Sequence, residues 1–204
     1  AMFKAIPSEL TRNSSRYQVA SVTENGRANR LLETITNMGE SMVVNMAYHA
    51  NDPGPGMAFH KDTSTFKMFV GDTGLFVTLA FWDKEFTDNV IYQKLLTDKL
   101  SKDLGYVYEN VVAQMLVASG NELYSDTFPT ESGKHRYEVD FLIPDGDKVV
   151  PIEVKSSGYK AHVSLDAFCT KFSSRVSRPY LIYTKDLRKE GNLLYLPVYM
   201  TMFL

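Results

Sequence analysis

The densest apolar pattern in the chain spans residues 103–118, DLGYVYENVVAQMLVA. Leu104, Tyr108, Val111, Val112 and Met115 share one face of a 3.6-residue period, and Val107, Leu116 and Val117 widen that face around most of the cylinder. The spacing predicts a helix that must be covered on most sides. From Tyr106 onward its only charge is Glu109. Strand patterns follow over 136–143, 149–155, 180–184 and 193–199. Leu165, Phe168, Cys169, Phe172 and Val176 return to helical spacing and predict a helix over 164–176, with Ser164 at its N-cap.

The first 86 residues read differently. Leu31, Leu32, Ile35 and Met38 predict a helix over 28–38 with Gly39 as C-cap. A strand over 41–48, the turn-rich DPGPG loop over 52–56 and a strand over 66–74 ending in a turn come next. A helix followed by a two-stranded ribbon is the outline of a winged-helix-like segment; the plainer reading is a helix and hairpin packed on a neighbour. The polar, charged run over 83–103 marks the expected boundary, giving a segment over 1–86 and an α/β domain with a mixed sheet over 87–204.

Chemistry concentrates on one predicted hairpin. In RYEVDFLI, Val139, Phe141 and Ile143 alternate with Glu138, Asp140 and Leu142; in VVPIEVK, Val150, Ile152 and Val154 alternate with Glu153 and Lys155. Apolar faces coincide only if the loop has an even number of residues, either Asp145-Gly146 or all four residues of DGDK. The four-residue register sets Asp140 opposite Glu153, and the two-residue register sets it one diagonal away. Both bring two carboxylates together beside an ammonium group. Adjacent carboxylates repel unless something positive lies between them, and oxygen ligands suit Mg²⁺, Mn²⁺ or Ca²⁺. The alternative is the wet face of an amphipathic hairpin with a surface ion pair worth about 0–1 kcal/mol.

Composition narrows the classes. At 204 residues and 44% hydrophobic, the chain can bury one good core or two small ones. It has no run of 18 apolar residues for a membrane span and no signal-peptide pattern. Cys169 is the only cysteine, which excludes an internal disulfide and fits a cytoplasmic location. His49, His60, His135 and His162 show no zinc spacing, and no phosphate-cradling Gly-rich loop occurs. A net charge of −2 argues against a strongly basic nucleic-acid binder. Two stretches are locally basic: 1–30, with Lys4, Arg12, Arg16, Arg27 and Arg30 against Glu9 and Glu24, and 160–189, with Lys160, Lys171, Arg175, Arg178, Lys185, Arg188 and Lys189 against Asp166 and Asp186.

Asp140, then Glu153-x-Lys155, preceded by an apolar helix bearing Glu109, resembles the PD-(D/E)XK nuclease superfamily, with Val139 where the nominal motif has Pro. More closely, IPSEL, FKMFVGDTGLF, GYVYENVVAQML, YEVDFLI and PIEVKSS resemble domain of unknown function 4143, the C-terminal half of many prokaryotic AAA-type ATPases. The resemblance implies a restriction-endonuclease-like mixed sheet flanked by helices. It implies Mg²⁺ or Mn²⁺ held by Asp140, Glu153 and the carbonyl of Val154, with Glu109 binding through water or holding a second ion. Lys155 would position the attacking water, DNA would be the substrate, and ATP would enter only through an upstream ATPase domain. Lys171 and Glu138 would be auxiliary at most, their plainer roles being a solvated lysine and a surface salt bridge. The alternative is a catalytically silent DNA- or protein-binding module of that ATPase.

Overall fold

The computed structural model describes residues 2–11, 28–80 and 105–204. Along the chain the elements are α1 (Met2–Thr11), α2 (Ala28–Glu40), β1 (Val44–Ala50), β2 (Lys61–Val70), α3 (Thr73–Ala80), α4 (Gly105–Ala118), β3 (Leu123–Pro129), β4 (Arg136–Asp145), β5 (Lys148–Val154), α5 (Val163–Lys171), β6 (Tyr180–Tyr183), β7 (Arg188–Glu190) and β8 (Leu193–Pro197), with 3-10 turns at Met57–Phe59 and Val198–Phe203. The strands form one mixed sheet in the order β2-β1-β3-β4-β5-β6-β8-β7. Neighbours are parallel at β1/β3, β5/β6 and β6/β8 and antiparallel elsewhere.

The nearly all-round apolar character of α4 is explained by what covers it. Val112, Ala113 and Leu116 pack on Phe141, Ile143, Val150, Ile152 and Val154, while Val198, Met200 and Leu204 close over the same core. On the other side of the sheet, Phe168 of α5 packs with Val139, Leu142 and Val149. Each such side chain contributes roughly 1.5–3 kcal/mol by leaving water.

The N-terminal helix and ribbon join this same sheet. Ala47, Tyr48 and His49 of β1 pair in parallel with Leu123, Tyr124 and Ser125 of β3. Phe69 of β2 meets Phe141 of β4 with ring centroids 5.2 Å apart. The segment between Ala80 and Gly105, with the expected boundary over 83–103, lies outside the described residues, as do Arg12, Arg16, Glu24 and Arg27.

Several local expectations change. α2 runs through Gly39 to Glu40, and the left-handed residue that ends it is Met42, at φ 58°. The β2 strand begins earlier and stops at Val70, and Thr73–Ala80 turns into a helix where a turn was expected. Gly71 is required there, because a Cβ would come within 2.4 Å of the Met42 carbonyl oxygen. α5 ends at Lys171, and its N-cap is His162 with no side-chain cap bond. Ser164 instead accepts the Glu138 backbone N–H at 3.4 Å.

The hairpin reconciles the two expected loops. Asp145 pairs with Lys148 and Phe141 with Ile152, so the connection is the two residues Gly146-Asp147, while the register is the one that puts Asp140 across from Glu153. Gly146 has φ 59°, as the first central position of a II′ turn demands. One face assignment is corrected. Tyr124 pairs with Leu142 and Asp126 with Val139, so β4 carries an extra residue between Val139 and Leu142. The bulge breaks the alternation: Val139 joins Leu142 on the α5 side, and Phe141 and Ile143 alone face α4. The interval it distorts contains Asp140.

Asn110, fully buried, fastens α4 to the end of β2. Its Oδ1 accepts the Val70 N–H at 2.8 Å, and its Nδ2 donates to the Val70 carbonyl at 3.0 Å and to Thr73 Oγ1 at 3.1 Å. Asn110→Ala strips both backbone groups of Val70 of their partner inside the protein. The expected loss is about 2–4 kcal/mol, read as a lower urea midpoint at unchanged slope.

Candidate functional site

Glu109 sits one residue before Asn110 on α4, so the clamp to β2 also fixes where Glu109 stands relative to Lys67. Glu138 and Asp140 come from β4 at the bulge, Glu153 from β5, and Lys155 from just beyond that strand's end. Among the described residues, Leu10, Lys67, Glu109, Glu138, Asp140, Glu153, Lys155 and Ser164 line one cavity of about 240 Å³. The residues expected from the sequence to act together therefore share one space. Its mouth is open on the side of Lys155 and Glu138, whose side chains are 30% and 32% exposed, whereas Glu153 is 5% exposed.

Lys67 is the member the sequence reading missed. It lies in β2 with buried Phe66 before it and buried Met68, Phe69 and Val70 after it. A lone ammonium in so apolar a run, FKMFV, was the available signal, since an unpaired buried charge is costly. Its Nζ pairs with Glu138 Oε1 and lies 3.9 Å from Glu109 Oε2. Glu138 is thus part of the cavity rather than a surface salt bridge. Lys155 Nζ lies 2.7 Å from Glu153 Oε1. Asp140 Oδ2 accepts the Val154 N–H at 2.7 Å. The Val154 side chain is in the core, and its N–H is the group that touches an acidic residue.

Every carboxylate thus has an ammonium or N–H partner, and among the described residues no three His, Cys, Asp or Glu side chains form a ready metal centre. The charges still do not balance. Among the described residues, four carboxylates face two ammonium groups in this cavity, which leaves two negative charges when all are ionised. Glu153 Oε2 is buried with no hydrogen-bond partner among the described residues. Burial, reinforced by Asp140, pushes Glu153 up to about 8 and Glu109 up to about 7, against the pull of the lysines. Burial also raises Asp140. For Lys67 burial works against the charge, but Glu109, Glu138 and Asp140 outweigh it and hold the ammonium well above its ordinary value. Lys155 is raised in the same way, with Glu153 the main partner.

The donor set fits a hard divalent cation: four carboxylates and the Ser164 hydroxyl, with no nitrogen or sulfur ligand among the described lining residues, one carboxylate oxygen orphaned and two charges to offset. Asp140 and Glu153 would hold it.

The basic stretch over 160–189 is partly spent internally. Arg175 bonds the Asp52 carboxylate and the Pro53 carbonyl, Lys171 lies 4.7 Å over the Phe128 ring, and Arg188 pairs with Glu190 at 3.0 Å while stacking on Tyr195. Lys171 is therefore outside the site. Among the described residues no helix is long and apolar enough to cross a membrane.

Residues 104–200 match the family model described as Domain of unknown function (DUF4143). The match takes in Glu109, Glu138, Asp140, Glu153 and Lys155 and stops short of Lys67. No curated protein and no solved structure matches the chain.

Proposed function

We propose that this DUF4143 domain, completed by the β1-β2 ribbon, is a divalent-cation-dependent phosphodiester hydrolase acting on DNA, on a restriction-endonuclease-like PD-(D/E)XK scaffold. The observation that carries the reading is, among the described residues, four carboxylates against two ammonium groups, two negative charges in excess when all are ionised, with one orphaned carboxylate oxygen, around a cavity with an open mouth. Mg²⁺ or Mn²⁺, when bound by Asp140 and Glu153, would supply Lewis-acid polarisation of a phosphoryl oxygen and a more acidic water.

The chain's own residues supply the rest. The Val154 N–H fixes the orientation of Asp140. Lys155, half-buried at the mouth and 2.7 Å from Glu153, can donate to a water or to a phosphate oxygen as negative charge develops there. Glu109, with its value raised to about 7, exchanges a proton at neutral pH. As the resemblance implies, the domain would serve an AAA-type ATPase in the cytoplasm, with ATP acting only through that upstream domain.

A second reading, a silent DNA- or protein-binding module, is favoured by one observation: each carboxylate already has a partner. Plasmid and single-stranded DNA incubated with Mg²⁺ or Mn²⁺ separates the two. Cleavage that needs the metal and is lost in both Asp140→Asn and Lys155→Ala supports the hydrolase. Retained cleavage in both variants, or none in the wild type, overturns it.

A further inference from the structure

The cavity has two unlike halves. On one side Lys67 stands between Glu138 and Glu109; on the other Lys155 touches Glu153, and Asp140, on which both ammonium groups act, takes a backbone N–H. We infer that Lys67 takes the place of a second cation, so that the site accepts one divalent ion, on the Asp140/Glu153 side, and not two. The inference rests on the cation-dependent reading proposed above and specifies how many ions that site holds.

Three observations carry it. The first is confinement. The Lys67 side chain is 5% exposed and its strand neighbours Phe66, Met68, Phe69 and Val70 are all buried, so the ammonium cannot leave for water without unpacking β2. A lysine ammonium is a compact charge with three donors, able to serve two carboxylates at once, which is the task a metal ion would have between Glu109 and Glu138. The second is where coordination is missing. Among the described residues, the orphaned, buried oxygen of this cavity is Oε2 of Glu153, whose ion-pair partner is Lys155 and not Lys67. Its ammonium partner Lys155 is 30% exposed and has room to turn toward the mouth.

The third is charge. With Lys67 and Lys155 in place, one divalent ion brings the four carboxylates to neutrality. A second would leave two positive charges in a cavity whose deepest groups, Lys67 and Glu153, are each only 5% exposed, where unbalanced charge is expensive. Removing the Lys67 charge opens the Glu109/Glu138 side to an ion.

The test is Mn²⁺ binding to the full chain without DNA, counted by equilibrium dialysis at pH 7.5, with electron paramagnetic resonance at saturation. The wild type is expected to bind close to one ion and to give a mononuclear spectrum. Lys67→Met, which keeps the hydrocarbon stem, is expected to raise the count from one to two. Two ions or a spin-coupled pair in the wild type, or one ion in a folded Lys67→Met variant, overturns the inference and leaves the cation-dependent reading standing. No ion in the wild type sinks both. If Lys67→Met does not fold, the wild-type count and spectrum decide alone.

Discussion

Asp140→Asn is expected to lower metal-dependent DNA cleavage by about 10³-fold without lowering the melting temperature of the metal-free protein. The two halves of that result have separate causes. An asparagine at this position would keep the size of the side chain and an oxygen for the Val154 N–H, so the packing of β4 on β5 survives. What disappears is one of four negative charges confined to the cavity, and burial already raises Asp140 against ionising. Relieving that repulsion leaves stability unchanged or higher, as when a functional site carries charges the fold alone would shed. Lys155→Ala, which removes a donor from the mouth, is expected to cost about 10²-fold. A variant that loses activity and melts lower by many degrees would point to a structural role for Asp140. Comparing cleavage rates with melting curves separates the cases.

Much of this site was legible because the hairpin is local. Val150, Ile152 and Val154 announce the buried face of β5, and Glu153-x-Lys155 stands out against it. Helical spacing located α4 and, with it, Glu109. What could not be read depends on distant pairing. The bulge in β4 is set by the register against β3, and β3 itself, LYSDTFP, hides its strand character behind buried Ser125 and Asp126. α1 escapes a periodicity search because Pro7 lies inside it, and α3 because GDTG reads as a turn. Lys67 is 42 residues ahead of Glu109 in the chain, and the pairing of β1 with β3, together with the Asn110 clamp, brings the ribbon to the second half of the molecule.

The second large effect is on stability against pH. Glu109 and Glu153 hold protons in the folded state up to about 7 and about 8, whereas in the unfolded chain they release them near 4.5. The folded state therefore binds more protons between those limits. Stability from these two groups is complete below about pH 4.5 and is lost as pH climbs through 7 and 8. Asp126, raised to about 6 by burial, adds in the same direction. His49, lowered by burial, opposes it in the acid part of the range. In chelator, the melting temperature is expected to fall by roughly 5 °C from pH 6.5 to 8.5. Saturating Mg²⁺ should remove most of that slope, because ligands must shed protons to bind an ion. Glu153→Gln should flatten the slope without metal. A metal-free melting temperature that rises over the same interval contradicts the account of a proton-filled cavity.

Crystals soaked in Mn²⁺ and measured at its absorption edge give the most direct view of the central claim. The expected result is one anomalous peak bonded to carboxylate oxygens of Asp140 and Glu153, with Lys67 still between Glu109 and Glu138. A cavity without a peak at saturating Mn²⁺, or an ion bound only elsewhere on the surface, would contradict the proposal that this chain uses a divalent cation to cut phosphodiesters.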